Sequence, residues 1–310
     1  MKEGLIVGAG TAGIITSLFT GNRMIDSNPL GELSLPFSPG IRIFKWDVEV
    51  VQFISFFLAK MYPEFSIKRE TLKVGYKTKD GIVDYLTEEF KRDYSMITRG
   101  KSEYERSFLS SGQNVIPYIS INDLGYEGSY VFFFKSALEY LKSNDRLIED
   151  KVDAIEFGSR NVICGEKRYT YTTLYSTIKR PILDKLMNKD SGEDFSTTKK
   201  SFYKTSKIAT NKMGDYAYIY SIVDEWTRKT MFENYYVYET TKPIKDKFFE
   251  KENEITNRFE DIPLQIQKSL SKRTYFGIEL IGRYAEWNHS IKANEVIKRF
   301  TQKLRYKIDG

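Results

Sequence analysis

Gly8, Gly10 and Gly13 stand at G-x-G-x-x-G spacing directly after the apolar run Leu5-Ile6-Val7, and Ile14 to Phe19 continue in a helical pattern. Each glycine has a physical task in holding a diphosphate. The first permits a tight turn, the second lets backbone approach the phosphates, and the third lets the helix pack close to the strand. The start of the helix then offers its free N–H groups and the positive end of its dipole to the anion. The test of such a motif is a second strand ending in an acid about 20 residues on. Arg23-Met24-Ile25 closes on Asp26, whose carboxylate suits the hydroxyls of a ribose. A plain strand-turn-helix corner explains the glycines alone, but not the glycines and the acid together. The stretch reads as a dinucleotide cradle.

Further along, single residues carry candidate chemistry. Arg42 suits an anionic cofactor or substrate, and equally a surface ion pair. Arg228, between two aromatic stretches, suits bidentate contact with a carboxylate or phosphate, and equally a solvated strand. His289 is an acid-base candidate, with a structural hydrogen bond in a turn as its plainer role. Tyr216, Tyr218 and Tyr220 alternate, so they share one face of a strand and line a channel or pack on a helix. The run Lys199 to Lys207, basic with two aromatics, has a nucleic-acid flavour, and a solvated loop is its simpler reading.

The bulk numbers bound the answer. The 310 residues are 41% hydrophobic and 15% aromatic, enough for a large core in one or two interleaved domains. A formal charge of +6 favours anionic ligands without demanding a nucleic-acid groove. One cysteine, Cys164, and one histidine, His289, exclude disulfides and zinc clusters, so no metal site is expected. Leu5 to Phe19 is uncharged but too short to span a bilayer, and its spaced glycines are unlike an export signal. A cytoplasmic protein with no membrane contact is expected.

These residues need elements to hold them. Asp47 is placed to cap a helix with Val50, Val51, Ile54, Phe57 and Leu58 on one face, and a second apolar helix is expected over Tyr130 to Leu141. Alternation and turn residues from Val152 to Thr170 predict a small meander, with Thr173 to Ile178 rejoining the parallel sheet. Ile278 to Ile281 reads as a strand, followed by Gly282-Arg283 and a helix from about Ile291. Residues 62–122 suggest a mostly helical insertion, 187–204 a polar loop, 207–241 strands, and 243–270 a charged surface helix. The fold class expected is α/β, a Rossmann-like domain of parallel sheet plus meander with an inserted mixed α+β domain. Residues 1–62, 123–186 and 272–310 form the first, and 63–122 and 187–271 the second.

The pieces are collinear with a known pattern. The opening motif, "DSNPLGEL", "SPGIRIFKWDVEVVQFI", "EDKVDAIEF", "LYSTIKRPIL", "EWTRKTMFE" and the closing "YFGIELIGRYAEWNHSIKANEVIKRF" resemble the flavin-dependent amine oxidase and protoporphyrinogen oxidase superfamily. The resemblance is strongest to its UDP-galactopyranose mutase-like branch. It implies FAD as cofactor, held by Gly8, Gly10, Thr11, Ala12, Gly13, Asp26, Ser27 and Gly31 at one end of the chain. Arg42, Val152 and Thr177 join from the middle, and Gly282, Arg283, Asn288, Ser290 and Ile291 from the closing segment. It also implies that Arg228 faces substrate. The chain departs from the mutases at Arg42 and Lys45, in a segment where those enzymes bear histidines near the flavin.

The function implied is an FAD-dependent oxidoreductase. It would act on a C–N or C–C bond of a small or nucleotide-linked substrate by hydride transfer to the flavin, with Arg42, Arg228 and His289 as catalytic candidates. A modified nucleobase in DNA is compatible with the positive charge. Two alternatives stand beside it: a redox-neutral flavoenzyme such as a UDP-sugar mutase-like isomerase or a lyase, and an FAD-binding protein without turnover.

Overall fold

The computed structural model describes residues 4–31, 42–99, 115–189, 195, 197–206, 216–232, 235–241, 255–266, 277–287 and 291–308. The chain starts with a strand, helix and strand: β1 (Gly4–Val7), α1 (Thr11–Thr20) and β2 (Arg23–Ile25). The first two strands pair in parallel and are joined by β6 (Leu147–Ile148), β10 (Thr173–Ser176) and β16 (Ile278–Leu280). These five form a parallel sheet in the order β16-β10-β1-β2-β6.

The apolar run of β1 is explained by burial on both faces, as parallel strands require. Ile6 points into a core with α1, α2 (Val48–Met61), α4 (Gly125–Ser143) and α6 (Ala293–Ile308). Leu5 and Val7 point the other way, onto Ile155, Val162, Cys164, Leu174 and Leu183. Those residues come from β7 (Ala154–Glu156) and β8 (Asn161–Cys164), which with β9 (Lys167–Thr170) make the meander, from β10, and from α5 (Arg180–Leu186). The result is three layers: helices, parallel sheet, meander.

A second, eight-stranded sheet has the order β15-β11-β14-β13-β12-β3-β4, with β5 also paired to β3. Its strands are β3 (Ile67–Thr78), β4 (Gly81–Val83), β5 (Val115–Ile121), β11 (Thr197–Ser206), β12 (Tyr216–Ser221), β13 (Arg228–Met231), β14 (Tyr235–Thr240) and β15 (Ile255–Ile266). Helix α3 (Glu88–Arg99) covers it with Phe90 and Tyr94, which meet Tyr76 and Tyr220 ring to ring.

Three expectations are corrected here. Among the described residues of 62–122, expected to be mostly helical, strands β3, β4 and β5 outweigh the one helix α3, because Leu72, Val74 and Tyr76 alternate into the α3 core while the residues between them stay outside or are glycine. Residues 197–204, expected in a polar loop, belong to strand β11 between β14 and β15, with Phe202 and Tyr203 buried. Residues 255–266, expected to be helical, form β15. Tyr220, as one of the alternating tyrosines, packs on helix α3 through Tyr94.

A short link joins the sheets. Lys45 bridges to Tyr118 of β5, Ile119 N–H donates to Phe44 O at 2.8 Å, and Trp46 N–H donates to Pro117 O at 3.1 Å. From α4, the Tyr126 hydroxyl donates to Met231 O on β13. No described helix is long and apolar enough to cross a membrane.

Candidate functional site

The sheet order reverses direction between β1 and β10, and the crevice at the carboxyl ends of such strands is where α/β sheets bind ligands. Gly8 ends β1 there with φ +103°, and its N–H donates to Ile25 O at 3.0 Å. A Cβ on Gly8 would fall 2.4 Å from Thr177 Oγ1, whose hydroxyl donates to Val7 O and Gly8 O just after β10. A Cβ on Gly13 would fall 2.0 Å from Gly8 O, so helix and strand touch backbone to backbone. A Cβ on Gly10 would meet nothing within 4 Å.

Those three glycines divide the labour that their spacing implies. Two allow the close packing, and the middle one faces open ground. Helix α1 begins at Thr11 and Ala12 with no side-chain cap and no acid in its first turn. Its N–H groups and positive dipole end are left for an anion in front of Gly10. This cradle fits a diphosphate.

Asp26 does work that the sequence did not announce. Its Oδ2 accepts the N–H of Ala9 at 2.6 Å, and its Oδ1 accepts the N–H of Asn28 at 2.8 Å. It therefore ties the cradle to the turn through Ser27, where Leu30 N–H donates back to Ala9 O at 2.9 Å. Each carboxylate oxygen keeps a further lone pair for a ligand hydroxyl. Gly31 has φ +51°, and a Cβ on it would stand 3.7 Å from Gly10 Cα.

The other end of the chain arrives at the same place. Strand β16 hands over to Gly282, at φ +91°, where a Cβ would lie 2.8 Å from Ala12 Cβ. Glu286 holds this turn by accepting Gly282 N–H at 3.0 Å and pairing with Arg299 of α6 at 2.8 Å. Ile291 is buried against the helix layer. The Lys292 N–H then donates to Glu295 at 3.1 Å, the return arm of a capping box at the start of α6. Asn294 is 3% exposed and clasps the link segment: Lys45 N–H donates to its Oδ1, and its Nδ2 donates to Ile43 O, both at 3.0 Å.

Three cations from separate parts of the chain act on a fourth, Lys292. Lys292 keeps solvent access, yet burial of its ammonium is the largest cause of a pKa lowered to about 8. Arg283, Lys45 and Arg228 push it down further, against Glu295. Arg228 is ion-paired with the buried Glu239. Among the described residues, the side chains of Lys45, Arg283 and Lys292 make no ion pair. Like charges gathered in a partly desolvated place are costly unless an anion joins them.

The remaining site candidates are more scattered. Arg42 pairs with Glu127 near the start of α4, at 3.5 Å. Arg228 sits mostly buried on β13 rather than on a solvated strand. Val152 packs beside the meander. His289, Asn288 and Ser290 lie outside the described residues. Sequence reasoning missed Lys292 and Asn294. The only signal was their place just before and inside a helix start, which marks neither.

A parallel sheet with a glycine-kinked first turn, tied to a second sheet through Phe44, Lys45 and Trp46, defines a two-sheet α/β fold. Solved structures of a mutase and of two amine oxidases share this fold. A reduced UDP-galactopyranose mutase superposes with TM-score 0.64 at 11% identity, covering 100% of this chain and 96% of the other. Putrescine oxidase bound to putrescine gives 0.58 at 8% identity, with 100% and 99% covered. Cyclohexylamine oxidase from Brevibacterium oxydans gives 0.58 at 7% identity, with 98% and 99% covered. No protein-family profile and no curated protein matches the sequence.

Proposed function

We propose that this protein binds FAD and is an oxidoreductase that takes a hydride from a C–N or C–C bond of a small or nucleotide-linked substrate. The single observation that carries the reading is the meeting of Gly282 with Ala12 beside the open ground at Gly10. Both ends of the chain thereby converge on one anion site. The oxidases among the similar structures support the reaction class.

In this reading Gly10, Thr11 and Ala12 hold the diphosphate through backbone N–H groups, and Arg283 adds charge beside them. Asp26 holds the ribose of the adenosine half while it braces the turn. When bound, the flavin ring supplies the two-electron chemistry. The second sheet closes over the far side of the crevice and keeps water from the reacting bond. Arg228, oriented by Glu239, faces the link between the sheets as a cation for an anionic substrate group.

A redox-neutral reaction of a nucleotide-linked sugar is the second reading, favoured by the likeness to the mutase and by the surplus of cations.

The experiment is to purify the protein, identify any carried flavin by absorbance and mass, and mix it anaerobically with amines and with nucleotide sugars. Bleaching by an amine and recovery in air supports oxidation. Turnover of a nucleotide sugar only after chemical reduction supports the second reading. A protein that takes up no flavin overturns both.

A further inference from the structure

We infer that Lys292 is the electrostatic partner of the flavin ring, an ammonium held where the two sheets meet so that it favours the negative charge that reduction adds to the ring. The inference rests on the FAD reading above and deepens it. Three observations carry it: position, company and lack of a partner.

Position comes first. The diphosphate place is already defined by Gly10 and by Gly282 against Ala12. Lys292 lies past that turn, at the start of α6, two residues before Asn294. Asn294 is fastened to Ile43 and Lys45, and Lys45 bridges to β5 of the second sheet. Lys292 is thus on the path from the cradle toward the second sheet, where substrate must be met. Asp26, the candidate for the ribose, stands on the opposite side of β1, at the end of β2.

Its company is cationic. Arg283 comes from the cradle side, while Lys45 and Arg228 come from the second-sheet side. The one facing acid, Glu295, already accepts the backbone N–H of Lys292. Among the described residues no carboxylate pairs with its ammonium, which stays open to solvent beside the cradle, where a bound ligand could reach it, and its proton is held less firmly than usual. A negative charge arriving beside it would restore that proton and be stabilised in return.

The role differs from that of a diphosphate clamp. A clamp holds oxidised and reduced cofactor alike, because the diphosphate does not change. A partner of the ring holds the reduced form better, and so raises the midpoint potential.

The test compares wild type with K292M, K292Q and K292R by FAD affinity in both redox states and by midpoint potential. We expect K292M and K292Q to bind oxidised FAD nearly as wild type does. Their preference for the reduced form should fall at least tenfold, about 30 mV more negative for a two-electron couple. K292R should keep the wild-type potential. Thermal melts confirm that the variants are folded, and K292Q serves if K292M is not. Unchanged potentials would overturn the inference and leave the FAD reading intact. So would an equal loss of both redox forms, the mark of a clamp. A wild type that takes up no FAD would remove the FAD reading and this inference with it.

Discussion

Gly282 lies so close to Ala12 that a Cβ placed on it would stand 2.8 Å from the alanine Cβ, although β16 follows almost the whole chain after β1. Its φ of +91° adds a second reason for glycine. Gly282→Ala meets both penalties and should cost about 2–4 kcal/mol of stability. A denaturant titration measures it, and a wild-type midpoint would show that the two ends do not touch.

The three glycines of the cradle should separate stability from binding. Gly13→Ala would push a Cβ to 2.0 Å from Gly8 O, so it should unfold or loosen the first helix. Gly10→Ala meets no atom within 4 Å and has an ordinary φ of −74°. Its stability should stay within about 0.5 kcal/mol of wild type. FAD affinity should nevertheless fall by about tenfold or more, since the methyl enters the ground of the diphosphate. Melting curves paired with a flavin-fluorescence titration read both quantities at once.

Asp26 carries a fold duty and a ligand duty together. Asp26→Ala removes the acceptors for Ala9 and Asn28 N–H groups and should cost about 1.5–3 kcal/mol. Asp26→Asn keeps one acceptor and should lose less. Thermal unfolding without added FAD distinguishes this bracing from any part in ribose binding.

Glu239 is almost wholly buried, its side chain 3% exposed, and Arg228 is its partner. Arg228→Ala removes the ion-pair partner of that buried carboxylate and should destabilise by about 3–5 kcal/mol, whereas replacing both by apolar residues should recover much of it. Loss of activity in Arg228→Ala is therefore to be read only beside its melting curve. Equal stability of the single and double variants would refute the pairing.

The Lys292 proton gives a pH signature. Its pKa falls from the ordinary 10.5 to about 8, so between those values the unfolded chain binds more proton than the folded one. Stability of the FAD-free protein should then rise as pH goes from about 8 toward 10.5, and the penalty should be complete below 8. The Lys292→Met variant should lack this rise. Chemical unfolding at a series of pH values provides the comparison.

Where residues act with their neighbours in sequence, the chain was readable. The glycine spacing, the apolar run of β1 and the stripe Val50, Ile54, Phe57 and Leu58 all declare themselves within a few turns. The second sheet did not. Strand β3 finds its partners in β12 and β5, far along the chain, and β15 carries Pro263 and several charges in a run that looks helical. Long-range pairing overrode local pattern there. Likewise nothing local marks Lys292. Its neighbours Lys45 and Arg228 come together with it only after folding, and an isolated lysine before a helix looks like any solubilising residue.

The Asn294 clasp sets an order of events. Its amide joins residues 249 and 251 positions earlier, and the parallel sheet likewise waits for β10 to flank β1 and for β16 to flank β10. On the ribosome the N-terminal cradle emerges long before the segment that finishes it. The nascent chain must keep its first strand and glycine loop from premature pairing until β10 and β16 have emerged. The cradle is finished only once Asn294 has emerged, and a chain stopped short of residue 280 would display an adhesive, half-built edge.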